Sequence, residues 1–192
     1  LGAELAVMLN AQEGLQAVMT RDADVFVPLS ARMTFARQVG ADLFLSLHAD
    51  ALEQDAARGA SVYTLSAQGG SEAAQRTVER HERGDLLAGV DLVGTEDRVA
   101  TALMDLARAE TGPEGLRIAD ALVASLKEQG VLMNARPRRE GQFAVLAAAD
   151  FPSVLIEVGF LSSPEDRAIL ATPGGRARIA QAIRDTVTLL AR

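Results

Sequence analysis

The chain has 192 residues, a formal net charge of −7, 48% hydrophobic residues and no cysteine. That length suits one compact domain with a core large enough to fold without cross-links, and the lack of cysteine excludes disulfides, thiolate nucleophiles and cysteine-bound zinc, so any metal has to use histidine and carboxylate. The acidic balance excludes a general nucleic-acid binder, whose affinity rests on dense lysine and arginine, and no apolar run approaches the roughly 20 residues of a membrane helix.

In chain order, Leu5, Met8 and Leu9 stand at helical spacing until Gly14, and the first residues read as a helix already in progress, which points to a natural protein that begins earlier. Residues 15–20 form a short apolar run that predicts a strand. Pro28 suits a first helical turn, with Leu29, Met33, Ala36 and Val39 following at spacings of three and four until Gly40. Residues 42–48 predict a strand buried on both faces, residues 59–66 a third strand, 143–147 a fourth and Ser153–Phe160 a fifth built on Val154, Leu155 and Ile156. Between the third and fourth, residues 67–140 carry helical patterns and no strand: Ser71 caps a polar helix running to Arg83, and Val99, Leu103 and Leu106 form one stripe. Leu116, Ala119, Leu122, Val123 and Leu126 form the next, with a turn expected at Gly112-Pro113. Ser163-Pro164-Glu165 opens a short helix, and Ile179, Ile183, Val187 and Leu190 mark the last one. The expected fold is a single α/β domain over 1–192, with a mainly parallel sheet covered by helices on both faces and a helical insertion at about 67–140. In such sheets ligands gather at the carboxyl ends of the strands.

Two side chains stand out against that frame. His48 is one of only two histidines and ends an apolar strand, where an imidazole can bind a metal, act in catalysis or simply be hydrogen-bonded. Glu157 interrupts Val154-Leu-Ile-Glu-Val-Gly-Phe160, and a carboxylate in apolar surroundings is costly unless it is paired, protonated or metal-bound. Burial would raise its pKa toward the value a general base needs, although buried structural carboxylates also occur in ion pairs. Arg21, Asp22, Asp24 and Arg32 form a charged cluster after the first predicted strand, either a solvated loop or the anchor of a site loop.

Taken together, Thr20-Arg21-x-x-Asp24-x-x-x-x-Leu29-x-x-Arg32 and Gly40-Ala-Asp-Leu-Phe-Leu-Ser-Leu-His-Ala-Asp50 resemble the central block of the zinc-dependent N-acetylmuramoyl-L-alanine amidases of bacterial cell separation, the amidase_3 family. Phe143-Ala-Val-Leu, Pro152-Ser-Val-Leu-Ile-Glu-Val-Gly-Phe160 and Ser163-Pro164-Glu165 resemble that family's C-terminal block. The resemblance implies a periplasmic peptidoglycan hydrolase that cuts the amide between N-acetylmuramic acid and L-alanine with Zn2+ as cofactor. It implies that His48 is a zinc ligand, that Glu157 is the catalytic glutamate, and that Arg21, Arg32 and Asp50 support substrate or the site loop. The family's first histidine, in a Gly-His-Gly-Gly type loop, and its ligand glutamate have no counterpart in this sequence, which reads as starting inside the helix downstream of both.

Residues 71–85 resemble a helical insertion of Gram-negative division amidases, in which a carboxylate occupies the zinc site until an activator, here expected to be a LytM-like protein, displaces the helix. The candidate blocking side chains are Glu79, His81 and Glu82, and the expected helical pair over 95–129 would be the docking region or its support. The plainer account of this stretch is a solvated polar helix. Two other functions stay open: a different zinc hydrolase of carboxypeptidase type, for which the histidines are too few, and a catalytically incomplete peptidoglycan-binding or regulatory module.

Overall fold

The computed structural model describes residues 1–51, 57–66, 98–148 and 150–191, with side chains throughout except over 98–110. Strands β1 (Phe44–Asp50), β2 (Ala60–Leu65), β3 (Met133–Gly141) and β4 (Ser153–Phe160) form one sheet in the spatial order β1-β4-β2-β3. Around it lie helices α1 (Gly2–Asn10), α2 (Leu29–Gln38), α3 (Arg98–Glu128), α4 (Pro164–Ala171) and α5 (Pro173–Leu190), with a 3-10 turn at Ala144–Leu146.

Strand β4 is the keel, and all eight of its residues are buried. Because side chains alternate along a strand, Val154, Ile156 and Val158 face one way, into a core shared with Val62, with Leu5 and Leu9 of α1, with Ile118 and Leu122 of α3, and with Ile179 and Ile183 of α5. Leu155 faces the other way, against Phe44, Tyr63, Phe143, Phe151 and Met33 of α2. Burying each such side chain stabilises the fold by about 1.5–3 kcal/mol before ordering costs are counted. The expectation of an α/β domain with helices on both faces therefore holds.

The sheet is mixed rather than mainly parallel. Strands β1 and β4 run parallel, as do β2 and β3, but β2 lies antiparallel to β4. A parallel return needs a crossover of about a dozen residues or more, and only the nine residues 51–59 separate β1 from β2, so the chain turns back. The region 67–140, read as free of strands, contains β3, whose arginines and Pro137 hide a strand pattern. Both features are tolerated because β3 lies at the sheet edge, where a missing N–H breaks no ladder and charges discourage pairing with other chains.

Three further expectations are corrected. Residues 143–147 form an extended residue followed by a 3-10 turn, because Val145 and Leu146 are buried in succession rather than in alternation. Residues 15–20 take no strand pairing among the described residues; instead the Asn10 side chain accepts from the Ala17 N–H at 2.7 Å and donates to the Ala17 carbonyl at 3.0 Å. Helix α3 runs unbroken through Gly112-Pro113, so residues 98–128 are one helix and not a pair. Its buried stripe is Ile118, Ala119, Leu122, Val123 and Leu126, while Leu116 is exposed. From residue 111 on, the stretch expected as an insertion thus builds the central core.

A buried carboxylate fastens the end of the keel. Asp166 Oδ2 accepts from the Gly59 N–H at 2.9 Å and from the Phe160 N–H at 2.8 Å, while its own N–H is capped by Ser163 Oγ at 3.2 Å. The start of β2, the end of β4 and the first turn of α4 therefore meet on one side chain. The approach leaves no room beside the backbone: Gly59 has φ +79°, and a Cβ there would lie 2.5 Å from the Met133 carbonyl carbon. Asp166→Ala, which strands two buried donors, should lower unfolding free energy by about 3 kcal/mol, whereas Ser163→Ala should lose about 1 kcal/mol. Equal, small losses in urea denaturation would show that Asp166 is not the clamp.

Candidate active site

Register brings the candidate residues together. His48 of β1 and Ser61 of β2 both stand opposite Glu157 of β4, one from the parallel side and one from the antiparallel side. Glu157 is thus the middle of a three-residue row across the sheet, on the face that carries Leu155, and it is fully buried. Its Oε1 accepts the Asp50 N–H at 2.8 Å. That contact is made possible by the irregularity between His48 and Asp50, where the pairing of β1 with β4 shifts register and the backbone turns an amide toward the neighbouring strand. Asp50 also accepts the Leu161 N–H on its carbonyl oxygen at 2.6 Å, which ties the bulge to the chain leaving β4.

His48 is half-buried, and its Nε2 lies 2.8 Å from Ser46 Oγ, two residues back on the same face of β1. The hydroxyl can donate to or accept from that nitrogen according to tautomer, and it fixes the ring plane in either case. Sequence reasoning missed both Ser46 and Ser61. The signal for Ser46 was available, since a residue two positions before a candidate histidine on a strand shares its face. Ser61 could be found only from strand pairing.

Arg21 and Arg32 fasten the loop that precedes α2: Arg21 Nη1 donates to the Val25 carbonyl at 2.8 Å and Arg32 Nε to the Val27 carbonyl at 2.8 Å. These bonds give both arginines a part in shaping the loop. Glu79, His81 and Glu82 lie outside the described residues.

Could the row hold a metal? Among the described residues no three histidine, cysteine, aspartate or glutamate side chains converge as a metal site. His48 offers one nitrogen donor, and a catalytic zinc ordinarily takes three protein ligands, so the described residues do not complete a zinc centre. What the arrangement does offer is a buried carboxylate, aligned by a backbone amide, beside an imidazole.

Residues 1–188 match the Amidase_3 family, N-acetylmuramoyl-L-alanine amidase. The chain belongs to this family. It is 36% identical over 175 residues to the N-acetylmuramoyl-L-alanine amidase AmiA of Escherichia coli (strain K12), covering 91% of this chain and 60% of that protein. Against the amidase AmiC of Neisseria meningitidis serogroup B, identity is 35% over 175 residues, with 91% of this chain and 42% of the relative covered. The chain therefore spans under two thirds of the length of these curated relatives. Among solved structures, the amidase AmiC2 of Nostoc punctiforme superposes with a TM-score of 0.68 at 24% identity, covering 99% of this chain and 80% of that one. That likeness shows the shared fold.

Glu157 can be separated from folding. Glu157→Gln keeps an oxygen for the Asp50 N–H and removes an ionisable group from a buried site, where a charge would oppose folding. The variant should melt at the parent temperature or above it. A fall of more than about 4 °C, the shift expected for roughly 1 kcal/mol or more in a chain of this size, would mean that the charge itself supports the fold.

Proposed function

We propose that this chain is the catalytic portion of a peptidoglycan hydrolase that cuts the amide between N-acetylmuramic acid and the L-alanine of the stem peptide. The observation that carries the reading is the row His48–Glu157 at the carboxyl ends of parallel β1 and β4, in a chain belonging to the amidase family. Zinc is the proposed cofactor, with His48 as one ligand and the rest of its set supplied from outside the described residues. When bound, the ion supplies positive charge that polarises a carbonyl and makes a water more acidic.

The protein's own part in the reaction falls to Glu157. Its carboxylate takes a proton from the attacking water, and the resulting acid returns that proton to the departing L-alanine nitrogen. The Asp50 N–H on Oε1 keeps the carboxylate from rotating during that exchange. Burial keeps bulk solvent from the base, so that its partner is the water held at the site. Ser46 holds the orientation of the His48 ring, which would bind the ion.

Action in the periplasm during cell separation follows from the same reading. So does control by residues 71–85, with Glu79, His81 or Glu82 blocking the site until a LytM-like activator removes them. Switching of this kind needs two nearly balanced states that a partner biases. A second reading, a peptidoglycan-binding module without turnover, is favoured by the absence of a three-ligand cluster among the described residues.

Zinc content and release of dye from labelled peptidoglycan separate these readings, measured on this chain and on a version extended upstream. Glu157→Ala should cut turnover by about 10²- to 10⁴-fold and leave zinc in place, whereas His48→Ala should lose zinc as well. Deleting 71–85 should raise basal release. A protein that binds sacculi but holds no zinc and releases no dye, with or without that deletion, would establish the module instead.

A further inference from the structure

Ser61 stands in the candidate site with no role assigned to it. It is fully buried, and its Oγ makes no hydrogen bond among the described residues. Water and protein acceptors normally satisfy a serine hydroxyl, and an alanine at this position would fill the strand without leaving a polar atom stranded. Its position gives the reason for a hydroxyl. Ser61 pairs with Glu157 across β2 and β4, and directly opposed residues of antiparallel strands keep their Cβ atoms about 4.5–5.5 Å apart on one face. The staggered rotamers of a serine sweep its oxygen across that gap without backbone movement.

We propose that Ser61 is a positioning residue for Glu157. By rotation about its Cα–Cβ bond the hydroxyl donates to the carboxylate from the β2 side, while the Asp50 N–H holds Oε1 from the β1 side. Donors on opposite flanks restrain both the tilt and the rotation of the carboxylate. A hydroxyl suits this place because it donates to a carboxylate and accepts from the protonated acid, so the same contact serves Glu157 before and after it carries a proton. The consequence for turnover rests on the amidase reading, but the contact itself does not.

The test uses this chain in nitrogen-15-labelled form, with Ser61→Ala and Ser61→Thr, and follows the Asp50 amide proton as a reporter of the carboxylate it touches. Ser61→Ala should move the Asp50 resonance, lower the melting temperature by about 2–4 °C because a buried carboxylate loses a donor, and in an active, zinc-loaded extended chain lower kcat about tenfold at unchanged KM and zinc content. Ser61→Thr, which retains the hydroxyl, should restore both the resonance and kcat. An Asp50 resonance and a kcat both indifferent to Ser61→Ala would overturn the proposal. If the parent chain releases no dye at all, the amidase reading fails, and the Asp50 resonance still decides whether Ser61 holds Glu157: movement supports the contact and constancy overturns it.

Discussion

A carboxylate cut off from solvent has to be held by groups that the fold itself delivers, and Glu157 sets that requirement at the centre of this molecule. Its strand must lie between two others, so that it is shielded from bulk solvent. Its neighbours must offer polar groups at the right height, which needs fixed registers with both flanking strands. The register shift between His48 and Asp50 then becomes a necessity rather than a flaw, since it aims the Asp50 amide at the carboxylate. Strand order, helix packing and the bulge can all be understood as conditions for keeping one charge-bearing side chain inside a hydrocarbon core.

The Asp166 clamp serves the same end from a distance. It ties the start of β2 to the end of β4, the two strands whose antiparallel register brings Ser61 opposite Glu157. The helices add rigidity by filling rather than by contact with the site. Ile118, Leu122, Ile179 and Ile183 all pack on the face opposite to Glu157, so the row is supported from behind, while on its own face α2 and the 3-10 turn pack around Phe44, Tyr63 and Leu155.

Much of this was legible in the sequence, for identifiable reasons. An apolar run ending in His48 and another broken by Glu157 are strong signals, because a polar residue inside such a run violates the burial pattern that surrounds it. The caps at Ser163 and Thr172 are local chemistry and came through or could have done. What did not come through was non-local. Strand β3 was hidden because an edge strand is permitted arginines and a proline that a central one is not. The extended run at 15–20 looked like a strand, yet Asn10 satisfies its backbone at Ala17, a contact no periodicity reveals. Direction was missed because the general alternation of strands with helices was taken to mean a mainly parallel sheet, although no helix was read between the runs at 42–48 and 59–66. Ser61 was passed over since its significance lies entirely in what it pairs with.

The spatial order β1-β4-β2-β3 also bears on how the protein is made. Both flanks of β4 come from strands synthesised long before it, and Asp50 waits 107 residues for Glu157 to appear. At ribosomal speeds of about 5–20 residues per second, that is an interval of roughly 5–20 s in which β1 has no partner on its β4 side. The same arrangement that seals the carboxylate therefore makes the nascent chain dependent on its last strand, and a ribosome stalled before Ser153 would leave two orphaned strand edges for chaperones to shield.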